Sequence, residues 1–547
     1  MALIWAINHN KLPIISESPS THACLSSFLY YFAIQYSLHK LYRVFIYPHY
    51  ISPLRDIPGP RDNQFLIGQF KRIVTASSPS DLFLKWSARW PDEPFIRYLG
   101  PLNQEVLLVN TPEAHKEVLM THYDSFRKPK LFRHLVEDIT GPGSLLFAEG
   151  DASRRYRKIL SQPFSVSKLS VVFSVFQEKA ELLAEQLDKN LDENGEGVFD
   201  MAKLNTKMGL DVAGLTLLGL ELKNLNSDDP KYDFSKDYKR IFQPSKFSSV
   251  VSFINSSIPI RKFLPIDTSY LHAIARVRGG VTDCVHNRMR DIDETEARGE
   301  KYSTAALPNG GRDLLTLIID ERQNFKGSSD ELSIQEMVDQ LVTFLPAGHE
   351  TIAGAMTWAS YILAMNPVVQ TKLRSEIASL LSSLPPGTVP SWNDIDRLTY
   401  LNNFCKEIVR LYPTATLSYR EAKKDITICG RFLPKGSALL FVWAVPSQSK
   451  ATWGPDADQV VPERWETLSG KAANPYAWQS FSSGPRFCIG KNYALMEMKA
   501  FLVTIVSKFR FVKSKEIEAL EGNHPPYINP ALTLWPKGGM MIGLQRI

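Results

Sequence analysis

Between Phe481 and Gly490 the chain reads FSSGPRFCIG, a glycine-rich turn holding one cysteine that runs directly into the helix-like stretch Lys491–Lys499. A thiolate that binds a metal has to be approached closely from one side and shielded from water on the other. Gly484 and Gly490 carry no Cβ, so backbone can pass near the sulfur. The amides at the start of the following helix direct their dipoles toward it and favour the charged form. Arg486 places a cation two residues away, suited to an anionic cofactor edge, and Phe481 can cover the sulfur from water. A lone cysteine more commonly ends as a buried free thiol. These surroundings instead read Cys488 as the axial ligand of a haem iron.

A second constraint is a long helix. Ser333 and Glu336 form a capping box, and Ile334, Val338, Leu341, Leu345, Gly348, Ile352, Ala355, Ala359 and Ile362 then recur in one apolar stripe that stops at Asn366-Pro367. At about 1.5 Å per residue such a helix crosses the whole body. Pro346 and Gly348 should weaken it midway and open a notch. Glu350 and Thr351 stand beside that notch as an acid and a hydroxyl, able to relay protons to a bound small molecule. The alternative is a packing kink with Glu350 solvated.

Further on, Leu401, Phe404, Ile408 and Leu411 form an apolar helix face, and Glu407 and Arg410 lie three apart on one side of it. Pro462-Glu463-Arg464 offers a second arginine.

At every fixed position the cysteine segment resembles the signature of the cytochrome P-450 family, Phe-x-x-Gly-x-Arg-x-Cys-x-Gly. Ala347 to Thr351 resembles that family's oxygen-activation motif, although Pro346 is not usual there. The resemblance runs from Ile57 to Ile547, with motifs in the family's order, and is nearest to microsomal, fungal specialised-metabolism members. It implies a mainly α, helix-rich α+β fold with a long central helix, a small β-sheet region and an N-terminal membrane anchor. It implies haem b bound through Cys488, with Arg486, Phe481, Gly484 and Gly490 around it and Arg157 and Arg420 on the propionates. Ser153 stands where an indole is frequent, which puts one propionate contact in doubt. Glu407, Arg410 and Arg464 become a structural brace, and Glu350 and Thr351 the proton-delivery pair. The implied reaction is monooxygenation of a hydrophobic small molecule with O2 and electrons from an NADPH-dependent reductase. Two other readings stay open at this point: a haem-thiolate isomerase or dehydratase that needs no reductase, and a non-catalytic gas-binding haem protein.

Bulk properties fit a large globular body. The chain has 547 residues, 44% apolar and 22% charged, and its net charge of +6 comes from dispersed basic residues with no nucleic-acid module. Five scattered cysteines, Cys24, Cys284, Cys405, Cys429 and Cys488, offer neither a disulfide framework nor a zinc site. A reducing compartment follows.

Along the chain, residues 1–22 form a short N-terminal segment and 23–43 an expected membrane anchor, with no Asp, Glu, Lys or Arg from Ser18 to Leu38 and then Lys40 and Arg43. That positive flank places the following body in the cytoplasm, on the endoplasmic reticulum membrane by the resemblance. Residues 44–60 make a proline-rich, stiff hinge, and 61–547 the haem-binding catalytic domain. Glu93–Leu99 and Glu105–Val109 read as short strands. Phe126 to Phe147, Phe242 to Phe263, Thr416 to Ser418 and Pro530 to Leu534 are expected to line an apolar substrate pocket, and the resemblance to fungal members implies a terpenoid- or polyketide-like compound. Arg154, Arg155, Lys158, Lys491 and Lys499 are expected to form a basic dock for the reductase.

Overall fold

A computed structural model describes residues 21–226, 268–300, 311–520, 524–528 and 533–547, with isolated positions between them. The first 20 residues, nearly all of Phe242–Phe263, and Pro530, Ala531 and Leu532 of the expected pocket lie outside the described residues.

The helices that position the site are α1 (Thr21–Leu41), α2 (Gly150–Leu160), α3 (Val166–Lys189), α4 (Met201–Ala213), α5 (Thr268–Ala297), α6 (Ile334–Met365), α7 (Thr399–Leu411) and α8 (Lys491–Lys508). The strands are β1 (Phe95–Leu99), β2 (Glu105–Val109), β3 (Phe126–Arg127), β4 (Glu196–Asp200), β5 (Leu417–Ala422), β6 (Ile426–Ile428), β7 (Arg431–Leu433), β8 (Ala438–Val442), β9 (Phe509–Val512) and β10 (Met541–Arg546). Five of them form a sheet in the order β1-β2-β8-β5-β3, and β4-β10-β9 and β6-β7 form smaller ones. β1 and β2 pair antiparallel with Phe95 opposite Val109, within two residues of the strands expected from the sequence.

Phe28, Leu29, Phe32, Ile34 and Leu38 of α1 are exposed. Among the described residues no single helix is long and apolar enough to cross a membrane. The proline-rich stretch after α1 is docked on the body. Leu54 and Ile57 are buried with β1, and the Arg97 amide donates to the Pro58 carbonyl at 2.8 Å. A Cβ on Gly59 would lie 1.8 Å from the Arg97 carbonyl oxygen, so only glycine lets the chain come this close.

α6 runs through the centre, packed against α4, α5 and α8. Its capping box is formed: the Glu336 amide donates to Ser333 Oγ at 3.1 Å and the Ser333 amide to Glu336 Oε2 at 2.8 Å. Two expectations change here. The helix is buried on nearly every side, where the stripe predicted one face, because Asp339, Gln340, Thr343 and Thr357 are inside with polar partners. The Gly143 amide donates to Asp339, the Leu145 amide to Gln340 and Asn205 to Thr357, while the Ser144 and Thr343 hydroxyls share a bond. Nor does the helix end or break at Pro346. His349 Nδ1 bonds the Leu345 carbonyl at 2.9 Å and the Thr351 hydroxyl donates to the Ala347 carbonyl at 2.8 Å. Burial lowers the His349 imidazole to about 4.

Arg155 grips Glu336 with two bonds of 2.8 and 2.9 Å, and the Tyr156 hydroxyl adds a third at 2.6 Å, tying α2 to the start of α6. Burial alone would raise the Glu336 carboxyl, but the bonds from Arg155, Tyr156 and the Ser333 amide outweigh it and bring it from 4.5 to about 2. A depressed carboxylate stabilises the fold above its unfolded value, and that contribution is lost as pH falls toward the folded one. The gap in urea midpoint between wild type and Glu336→Gln should therefore be widest above pH 4.5 and shrink toward pH 2. A gap that stays constant over that interval would show that the Glu336 charge contributes no stability.

Candidate functional site

The cysteine turn is built by a short 3-10 turn, Gly484–Arg486, followed at Lys491 by α8. The Cys488 amide donates to the Phe481 carbonyl at 2.9 Å. Gly484 adopts φ +70°, and a Cβ there would lie 2.0 Å from the Leu119 carbonyl oxygen. Its freedom is thus required by the neighbouring turn, where the sequence pointed to the sulfur. Gly490 has an ordinary φ of −84°, and a Cβ there would meet no protein atom within 4 Å. Burial pushes the Cys488 thiol up, while the Gly490 amide, Arg157 and Lys491 pull it back toward the thiolate. The residue nevertheless keeps accessible surface. The Phe481 ring stands edge-on to Trp478 at 6.0 Å, with the Lys491 ammonium 5.9 Å from its centre.

Four cations gather beside this turn. Arg157, from α2, donates to the Phe487 carbonyl at 2.7 Å. Arg420, from β5, donates to Ser418 Oγ and the Tyr419 carbonyl at 2.9 and 2.7 Å. Arg486 pairs with Glu149, Nη1 lying 3.2 Å from Oε1. Lys128 bonds the Leu146 carbonyl. Burial and the neighbouring Arg420 and Arg486 push the Lys128 ammonium well below its usual range. Burial, with Arg486 close by, likewise lowers Arg420 to about 10. The Nε atoms of Arg157 and Arg486 are buried without a partner. Lys128 and Glu149 were missed in the sequence. The available signal was Arg127-Lys128-Pro129-Lys130 inside a stretch read as apolar pocket wall.

The brace residues come together. Glu407 and Arg410 are fully buried and joined by two bonds of 2.8 Å. Arg464 Nε meets Glu407 Oε1 at 2.9 Å and the Trp465 indole meets Oε2 at 2.9 Å. The remaining Arg410 donors reach the Ser447, Ala457 and Gln459 carbonyls.

Glu350 and Thr351, adjacent in sequence, point about 100° apart on α6. Glu350 Oε1 accepts from Thr533 Oγ1 at 2.9 Å and from the Trp535 indole at 3.2 Å. Of the expected pocket residues, Thr416 and Leu534 line a cavity of about 390 Å³ with Leu84, Tyr412, Pro413 and Tyr527.

The basic dock does not form as expected. Arg154 pairs with Asp151, Arg155 with Glu336 and Lys158 with Asp330. Lys499 is buried against Asp396 at 2.6 Å. Helical periodicity could not reveal these acids, because each except Asp151 lies far away in sequence.

Four cations set against one carboxylate, with unpartnered guanidinium nitrogens beside a thiol, fit an anionic ligand. A haem suits these residues: Lys128, Arg157, Arg420 and Arg486 would hold its propionates and Cys488 its iron, which is the donor set of a haem-thiolate protein. Comparison with known proteins agrees: the Cytochrome P450 family profile matches residues 58–540. Similar proteins include cytochrome P450 monooxygenase sphH of Aspergillus fumigatus, 30% identical over 92% of this chain and 90% of its own. Cytochrome P450 monooxygenase FUM15 of Gibberella moniliformis is 29% identical over 93% and 91%, and monooxygenase 205 of Postia placenta 31% over 84% and 86%. The chain belongs to the cytochrome P450 family. Membership makes it an oxygenating, haem-dependent oxidoreductase.

Proposed function

We propose that this enzyme inserts one oxygen atom into a hydrophobic small molecule of fungal specialised metabolism, a terpenoid or a polyketide, with electrons from an NADPH-dependent reductase. The balance is R–H + O2 + NADPH + H⁺ → R–OH + H2O + NADP⁺. The observation that carries the reading is the Cys488 turn beside its buried cation cluster. A bound haem supplies the oxygen activation, and a thiolate ligand favours O–O cleavage. Cys488 holds the iron, with the Gly490 amide, Arg157 and Lys491 moderating its charge. Lys128, Arg157, Arg420 and Arg486 hold the propionates. Glu407, Arg410 and Arg464 brace the loops behind the cysteine. Glu350 and Thr351 move protons, and a water between their separately aimed side chains would complete the relay.

Helix α1, with Lys40 in its last turn and Arg43 just beyond it, is the proposed anchor in the endoplasmic reticulum membrane, holding the catalytic body on the cytoplasmic side. The reductase is proposed to dock near Lys491, which lies over the Trp478 and Phe481 rings next to the cysteine turn. Turnover of a library of hydrophobic compounds by the reductase-supplied holoenzyme under ¹⁸O2 tests the reaction. Product carrying one labelled oxygen, formed only with NADPH, is expected. Product formed without NADPH and without label would favour an isomerase instead.

A further inference from the structure

The C-terminal segment Thr533–Trp535 lies along one face of α6. Glu350, Gly354 and Trp358 are four residues apart and so share that face. Each meets the segment. Thr533 Oγ1 and the Trp535 indole both donate to Glu350 Oε1, at 2.9 and 3.2 Å. A Cβ on Gly354 would lie 3.6 Å from the Leu534 carbonyl oxygen, and the Trp358 indole donates to that oxygen at 3.0 Å. In extended chain, side chains at i and i+2 point the same way, which is why Thr533 and Trp535 reach one carboxyl. The backbone between them is pinned: the Leu534 amide donates to the Thr414 carbonyl at 2.8 Å, and the Ile528 amide to the Trp535 carbonyl at 2.9 Å. Trp358 is fixed in turn by stacking on Tyr412, rings 4.7 Å apart and 6° from parallel. Two donors held this firmly leave the carboxyl little freedom, and donor bonds to a carboxylate are stronger than neutral ones.

We propose that Thr533 and Trp535 are positioning residues for the Glu350 carboxyl, so that the C-terminal segment sets how protons reach bound O2. The inference rests on the reading of Glu350 as a proton carrier. Leu534 of the same segment also lines the cavity beside Tyr412, so an occupant pressing there acts on the segment that holds the acid. Thr351 belongs to a different arm, its hydroxyl held by the Ala347 carbonyl.

The test needs no substrate. Holoenzyme supplied with NADPH and reductase, but no substrate, reduces O2 with two electrons and two protons to hydrogen peroxide, or with four of each to water. The share of NADPH electrons recovered as peroxide therefore reads the quality of proton delivery. Thr533→Val, which keeps the shape and removes the donor, should raise that share roughly two- to fivefold. Thr533→Ser should restore it, and Trp535→Phe should raise it in the same sense. In a Glu350→Ala background, Thr533→Val should add nothing. The melting temperature supplies a second readout independent of turnover: Thr533→Val should lower it in wild type and leave it unchanged in Glu350→Ala. An unchanged peroxide share in Thr533→Val, with a raised one in Glu350→Ala, would overturn the positioning role and leave Glu350 its own. An equal effect of Thr533→Val in both backgrounds, or additive melting shifts, would also overturn it. An unchanged share in Glu350→Ala would remove the proton role itself, and the inference with it.

Discussion

Glu407→Ala is expected to lose about 3–5 kcal/mol of stability and most of its haem. The carboxylate is fully buried and accepts from Arg410, Arg464, the Trp465 indole and the Val461 amide. Removing it strands the fully buried Arg410 guanidinium, while Arg464 keeps Asp456 at 3.0 Å, and an uncompensated buried charge costs far more than the pair contributed net. The damage should travel to the cysteine by a traceable route. Trp465 packs on Trp478 at 5.2 Å, Trp478 on Phe481 at 6.0 Å, and the Phe481 carbonyl holds the Cys488 amide at 2.9 Å. Ser480 is tied to α7 as well, its hydroxyl donating to the Val409 carbonyl at 2.6 Å. Loosening Trp465 thus frees the wall of the thiolate turn. Urea unfolding midpoint and haem per mole of purified protein are the measurements. A variant with wild-type midpoint and full haem content would show that the brace is an ordinary ion pair.

Much of this site is legible in the sequence wherever the chemistry is local. Cys488 and its glycines lie within ten residues, Glu407 and Arg410 within one helical turn, and the capping box at Ser333 within four residues. Strands β1 and β2 were visible for the same reason, as two short apolar runs, the second followed by Asn110-Thr111-Pro112. What was hidden depends on distant pairing. Arg155 reads as a basic surface residue until Glu336, 181 positions away, is seen to hold it. Lys128 joins the propionate cluster only because β3 pairs with β5, which brings Phe126 opposite Ala422 and so close to Arg420. Thr533 and Trp535 carry no motif, and their contact with Glu350 follows from a bridge between Thr533 and Ala415. The all-round burial of α6 was obscured because its inner polar residues broke the apolar pattern. Those residues are instead matched by the strap at Gly143–Leu145 and by Asn205.

Cys488→Ala is expected to abolish turnover while leaving the fold in place. The Cys488 amide, bonded to the Phe481 carbonyl, survives the change. Far-ultraviolet circular dichroism should therefore stay close to wild type. The spectroscopic consequence is larger. Carbon monoxide added to the dithionite-reduced wild-type holoprotein should give the strongly red-shifted Soret band of a thiolate-ligated haem. The alanine variant should lack that band, even where the cation cluster still retains some haem. Cys488→Ser tests the same point with a smaller change, since a hydroxyl at this depth stays neutral and cannot replace a thiolate. With Lys128, Arg157, Arg420 and Arg486 proposed to act on the propionates and Cys488 on the iron, the two kinds of variant should separate: arginine substitutions lower haem content and keep the band shape of what remains, whereas cysteine substitutions change the band itself. A red-shifted band persisting in Cys488→Ala would mean that another ligand holds the iron and would overturn the assignment of the whole site.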